Sequence, residues 1–279
     1  MRVGLLIHRS KADPIPRAIR DFVVELANRA CEVAFIVPDD DCFDLRDLSV
    51  DCDFYVSKAS SEPLLALAGI LHDRGATLFN SFPASSYLRD KARVTAALMD
   101  AGVPVPGSCI ASSAGRASEA LGGGSIIIKP IRGANSQGIE IAESRADLVR
   151  INGGPHFAQT YDRIGSDDLK VYVIGDDVFV LRGKAPVAFA APAGDRRPAL
   201  CTPQVREIAL AVARMFDLVV CGIDIVETTR GLAVVDVNSF PSFSGVPRAG
   251  ERLADCLLAR AVRSRRWPAG PGQQRTAAL

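Results

Sequence analysis

No stretch of this 279-residue chain approaches the ~20 consecutive apolar residues of a membrane span, so nothing in the sequence reads as one. An excess of one charge is also missing. The 33 lysines and arginines face 32 aspartates and glutamates, for a net charge of +1, which argues against a dedicated nucleic-acid or membrane-surface binder. Histidine is scarce, and His8, His72 and His156 lie far apart with no His-Glu-x-x-His or Gly-x-Ser-x-Gly to serve, which sets zinc chemistry and triad hydrolysis aside. The seven cysteines are odd in number and scattered, with no Cys-x-x-Cys pair, so a reduced cytoplasmic protein is the expectation. Cys221, inside VVCGIDIV, reads as a small buried hydrophobe. There is no internal repeat. The first residues, MRVGLLIHRSK, hold too short an apolar run for a targeting segment, because charge returns at His8 and Arg9 with no cleavage site behind them. They read as a first buried strand.

What is present is a balance of 48% hydrophobic and 23% charged residues, that of a soluble globular enzyme or binding protein. Up to about Phe82, short apolar runs alternate with helical patterns over Ile15 to Asn28 and Pro63 to Arg74, the signature of a parallel α/β lobe. A helix is expected from Leu88 to Ala101, stopped by Gly102 and the prolines of VPVP. Then come a strand at Ser108 to Ile110, a helix near Arg116 to Leu121, and a hairpin formed by IIIK, a glycine-bounded loop and Ile139 to Ile141. LKVYVIG and VFVLRG follow as strands around a Gly175-Asp176-Asp177 turn. A helix over Pro203 to Phe216, the strands CGIDIVE and LAVVDVN, and a helix over Ala249 to Arg263 complete the pattern. The expected lobes are 1–86, α/β, then 87–162 and 163–266, both α+β. The Pro- and Gly-rich end, 267–279, is expected to be disordered.

Two clusters carry chemistry. In SIIIKPIRGANSQGIEI, the strand delivers Lys129 to its end, and Gly133 and Gly138 bracket small and polar residues whose amides can fold over phosphates. No Lys-Ser or Lys-Thr follows, so this is not a Walker loop, and a plain glycine turn is the alternative. In CGIDIVETTRGLAVVDVN, Asp236 and Asn238 share a strand face and Asp224 lies on the neighbouring strand. Two carboxylates and an amide oxygen suit magnesium. Arginine salt bridges are the alternative, since charges in apolar strands demand a partner. A third run, FAQTYD, could set backbone amides against a purine where two lobes meet.

Taken in order, these clusters resemble the ATP-grasp superfamily. The closest likeness is to its inositol-phosphate kinases, through GANSQ (133–137), QTY (159–161), LKVYVIG (169–175) and VVDVNSFPSFSGV (234–246). RimK-type amino-acid ligases are similar more loosely, with Glu-x-Asn where this chain has Asp236-x-Asn238. Gln137 stands where the kinases have a histidine, and Ser242 where they have glycine. The resemblance implies an ATP-grasp fold, a parallel α/β lobe followed by two α+β lobes enclosing the nucleotide. It further implies that Arg89, Lys91, Lys129, Lys170 and the loop residues Gly133, Ala134, Asn135, Ser136 and Gly138 meet ATP, the loop closing as a lid. Gln159, Thr160 and Tyr161 would hold adenine through their backbone, and Asp224, Asp236 and Asn238 would ligate Mg2+. Lys170, Asp224 and Asp236 would act in catalysis, and Lys11, Lys58, Gln137, Lys170, Arg182, Asn238 and Ser242 would bind the acceptor.

The expected activity is phosphoryl transfer from Mg-ATP to a small acceptor, kinase-like toward a phosphorylated polyol. The alternative is a ligase that phosphorylates a carboxylate and joins it to an amine, with an amino acid as partner. An idle nucleotide sensor is a third reading, against which the retained acidic residues argue.

Overall fold

A computed structural model of the chain describes residues 1–8, 15–38, 41–58, 61–132, 138–151, 154, 156–184 and 196–266. Lys11, Gly133 to Gln137 and the 267–279 tail, all named by the sequence, lie outside the described residues.

The first lobe runs β1 (Arg2–Leu6), α1 (Arg17–Asn28), β2 (Glu32–Ile36), β3 (Phe54–Ser57), α2 (Glu62–Asp73) and β4 (Leu78–Phe79). Its strands pair in the order β2-β1-β3-β4, all parallel. Side chains alternate across this sheet, so Val3, Leu5, Phe54 and Val56 pack with Ile19, Phe22 and Leu26 of α1 on one face. Leu6 and Tyr55 pack with Leu64, Leu67 and Leu71 of α2 on the other. Both faces are covered by helices, as a parallel sheet requires.

Next come α3 (Phe82–Tyr87) and α4 (Lys91–Asp100). The helix expected from Leu88 to Ala101 therefore starts at Lys91, and a separate short helix, α3, precedes it. Ser81 caps α3 by accepting from Ala84 N, and Asp90 caps α4 by accepting from Arg93 N, so Leu88 to Asp90 form a break that contains Arg89. The central lobe holds β5 (Ser108–Ala111), α5 (Ala114–Ala120), β6 (Ile126–Lys129), β7 (Glu140–Ala142), α6 (Arg145–Arg150) and β8 (His156–Thr160), its antiparallel sheet ordered β5-β8-β6-β7.

The last lobe comprises β9 (Asp167–Ile174), β10 (Asp177–Lys184), β11 (Arg197–Pro198), α7 (Pro203–Met215), β12 (Val220–Thr228), β13 (Gly231–Asn238) and α8 (Ala249–Arg266). Its antiparallel sheet is ordered β11-β10-β9-β12-β13. One face, with Val171, Val173, Cys221, Ile223 and Ile225, packs on Val205, Ile208 and Val212 of α7. The other face is divided. Tyr172, Ile174, Leu181 and Val220 join the core shared by β1, α1 and α8, whereas Asp168, Lys170, Asp224 and Asp236, farther along the same face, are polar.

Asn80, fully buried just after β4, clamps these parts together. Its Nδ2 donates to Val220 O at 2.7 Å and Ser239 O at 2.5 Å, and its Oδ1 accepts from Val219 N at 2.7 Å.

Candidate active site

Strand register builds the centre of the site. On β9, β12 and β13, Lys170 faces Asp224 and Asp224 faces Asp236, so three charged side chains form one row across the sheet. Directly paired residues bring their Cβ atoms to ~5 Å, which makes the row a single electrostatic unit. Gly222 faces Asn238 one step along, placing the amide on the same face. A bulge at Asp224/Ile225 leaves Val235 out of the register, and its carbonyl accepts from Lys129 Nζ at 3.1 Å. Lys129 thereby reaches from the central sheet onto the acidic strand.

The cations come from three directions. Lys170 Nζ lies 2.7 Å from Asp224 and 3.1 Å from Asp168. Lys91, in the first turn of α4, lies 3.5 Å from Asp236, and its backbone N–H donates to Ile131 O at the root of the glycine loop. Lys129 is buried and donates to Gln159 Oε1 at 2.7 Å; Gln159 Nε2 in turn donates to Ser108 Oγ. With only neutral acceptors in contact, burial pulls Lys129 down to a pKa of about 8, against the attraction of Asp236. Burial also works against the charge of Lys170, but Asp224 and Asp168 outweigh it and raise its pKa. Burial, with Asp236 adding, pushes the Asp224 carboxyl up despite Lys170.

The donor chemistry fits a magnesium ion. Asp224 and Asp236 are hard-oxygen groups facing each other on rigid strands, each already drawing an ammonium to itself. Asn238 Oδ1 accepts from Phe240 N at 3.0 Å and retains a second lone pair. Among the described residues no three carboxylates, histidines or cysteines converge, so the set is two carboxylates and an amide.

Several sequence expectations meet a different arrangement. The N–H groups of Thr160 and Tyr161 are consumed by Gly107 O and Ser125 O, both at 2.8 Å, so the sheet rather than a purine holds these donors. The Arg182 expectation is corrected by register. The turn after β9 is one residue tighter than read from sequence: Ile174 pairs with Asp177, which sets Leu181 opposite Lys170 and turns Arg182 to the far face, where it pairs with Glu227 at 2.9 Å. Arg89 pairs at 3.0 Å with Glu62 of α2. Lys58 follows β3, with its N–H bonded to Leu6 O. Gly138 takes φ +70° beside Pro130, closing the loop after β6. Ser242 Oγ accepts from Ser244 Oγ at 3.0 Å, next to Arg196, which bonds the Tyr172 hydroxyl.

Sequence reasoning missed Arg163, Asp168, Tyr172 and Arg196. Asp168 and Tyr172 flank Lys170 at a spacing of two on one strand, and that period was the available signal. A cavity of about 350 Å³ opens between α7, α8 and the β9–β10 turn, and shares no residue with the row.

The model of the RimK-like ATP-grasp domain matches residues 88–260. The chain belongs to the RimK-like ATP-grasp family. It is 30% identical over 194 residues to the ribosomal protein bS6–L-glutamate ligase of Escherichia coli O1:K1 / APEC, covering 62% of this chain and 63% of that relative. The chain thus matches less than two thirds of the length of this curated relative. Among solved structures, a RimK domain ATP-grasp protein from Sphaerobacter thermophilus DSM 20745 superposes with a TM-score of 0.73 at 17% identity, over 92% of this chain and 99% of that one. The D-alanine–D-alanine ligase of Bacillus anthracis, solved with ATP, follows at a TM-score of 0.70 and 15% identity, over 95% of this chain and 99% of that one. The fold is therefore ATP-grasp, as the motifs suggested. The family is the RimK-like one that the sequence likened more loosely, and the closer likeness to inositol-phosphate kinases gains no support.

Proposed function

We propose that this protein is an ATP-dependent carboxylate–amine ligase, with an amino acid as one of its two partners. The observation that carries the reading is the Lys170–Asp224–Asp236 row, approached by Lys129 and Lys91, in a chain of the RimK-like ATP-grasp family. The glutamate ligase relative supports the ligase over the kinase.

In the proposed reaction a carboxylate oxygen attacks the γ-phosphorus of ATP, the bond to ADP breaks, and an acyl phosphate forms. The amine nitrogen then attacks the acyl carbon, phosphate leaves with the electrons of the C–O bond, and the nitrogen loses a proton. Lys129 and Lys91 bind the phosphate chain of ATP. Lys170 steadies the charge on the transferring group, which is spread over three oxygens in a loose transition state. Asp224, Asp236 and Asn238 would hold magnesium, which would supply charge neutralisation for the phosphates. The covering lobes exclude water that would hydrolyse the acyl phosphate.

The test is phosphorus NMR and mass spectrometry of the full chain with Mg-ATP, offered carboxylates paired with amino acids. A new amide with one ADP and one phosphate per turnover is expected, and Asp236→Ala should lower turnover by roughly 10²-fold or more. Stable phosphorylation of a polyol with no amide would replace the ligase by the kinase. Undiminished ATP turnover in Asp236→Ala would remove the metal assignment.

A further inference from the structure

Lys170 meets two carboxylates at once. Asp224 is 2.7 Å from its ammonium and Asp168 is 3.1 Å away. The other oxygen of Asp168 is held by Arg163 Nη2 at 2.7 Å, and Arg163 Nε donates to the Gly165 carbonyl at 3.0 Å. A linear chain results, Arg163–Asp168–Lys170–Asp224, whose first three side chains are only 11%, 3% and 9% exposed. Lys170 and Asp224 are the members of this chain that also stand in the row with Asp236.

A divalent ion on Asp224 repels the ammonium that lies 2.7 Å from the same carboxylate and competes with it for that charge. Lys170 is therefore drawn away from Asp224 when the ion arrives. A buried ammonium without a partner is strongly disfavoured, so the exchange is easier where another acid already holds it. Asp168 provides that place, already in contact and on the same strand face. Arg163 competes with Lys170 for the same carboxylate and so tempers its pull.

We propose that Asp168 and Arg163 are positioning residues that govern an exchange at Asp224: Asp168 keeps Lys170 when a divalent cation takes Asp224, and Arg163 limits how strongly it does so. The proposal rests on the ATP and magnesium reading above. It makes Lys170 a placeholder for the ion that remains beside the transferring phosphoryl group after displacement.

The two positioning residues should shift ion affinity in opposite directions. With Mn2+ as probe and a non-hydrolysable ATP analogue present, paramagnetic resonance should show Asp168→Asn binding the ion roughly tenfold more weakly, because Lys170 then clings to Asp224. Arg163→Gln should bind it more tightly. Both substitutions also change the local field directly, so each is repeated with Lys170→Met. Mediation through Lys170 predicts that most of each effect vanishes in that background, as a coupled pair requires. Effects that persist unchanged without Lys170, or an Asp168→Asn protein with native Mn2+ affinity, would overturn the proposal. If Asp168→Asn fails to fold, Arg163→Gln decides alone: tighter binding that depends on Lys170 supports the exchange, and unchanged or weaker binding rejects it. A parent protein that binds neither Mn2+ nor the analogue would instead overturn the underlying reading.

Discussion

An ammonium at the end of β6 whose contacts are an amide oxygen and a peptide carbonyl carries its charge with little compensation. The pKa of about 8 for Lys129 lies below the ~10.4 of an unfolded chain. Between these values the unfolded state holds more protons, so the contribution of Lys129 to stability rises as pH climbs through that window; below about 8 its buried charge opposes folding. Nucleotide phosphates reverse the balance by favouring the charged form. Binding of ATP analogue with magnesium should therefore take up part of a proton at about pH 9 and almost none near pH 6.5. Calorimetry in buffers of different ionisation enthalpy measures this uptake, and Lys129→Met should abolish it. Uptake that persists in that variant would place the titrating group elsewhere. Cys221, by contrast, has its thiol pushed up to about 12 by burial and stays an inert packing residue.

The turn that follows β13 depends on β12. A Cβ on Gly222 would stand 2.9 Å from Cβ and Cγ of Pro241, a ring that cannot fold away, while Gly222 itself is paired with Asn238 and Tyr172. Gly222→Ala should push the turn off the sheet. A loss of roughly 1–3 kcal/mol in denaturant unfolding is expected, together with weaker Mn2+ binding as Asn238 shifts. A variant of native stability and affinity would show the turn to be loose. The same strands show what could be read without coordinates. Alternation in VVDVN was sufficient to put Asp236 and Asn238 on one face, whereas Asp224 meets Asp236 only through the bulge, which alternation does not reveal. Register was the weak point. A three-residue turn at Gly175-Asp176-Asp177 would have paired Ile174 with Val178 and Lys170 with Arg182, and the tighter turn observed reverses the face of every β10 side chain. α6 was overlooked although Ser144 and Asp147 form a capping box, a local signal weakened by aspartate in place of glutamate. Asn80 had no local signal at all, because its partners are 139 to 159 residues away.

Family resemblance covers 88–260, yet the largest core ignores that boundary. Val3, Leu5 and Phe22 pack in one cluster with Tyr172, Ile174, Phe240, Leu253 and Leu257. α1 and α8 touch backbone to backbone: a Cβ on Gly250 would come within 2.5 Å of Asp21 C and Phe22 N. Each fully buried large apolar side chain stabilises by ~1.5–3 kcal/mol, so uncovering just Tyr172, Ile174, Phe240, Leu253 and Leu257 forfeits ~10 kcal/mol, comparable to the whole stability of a typical domain. A fragment of residues 88–266 should therefore fail to fold alone, giving aggregates in size-exclusion chromatography and no cooperative melting by circular dichroism. The full chain should unfold with near-ultraviolet and far-ultraviolet signals in step, since the first and last lobes share one core. A soluble, cooperatively melting fragment would mean that α8 and β9 find other cover. Should the prediction hold, the first lobe is a structural requirement of the catalytic one, and Asn80 ties it to the strand end that carries Asn238.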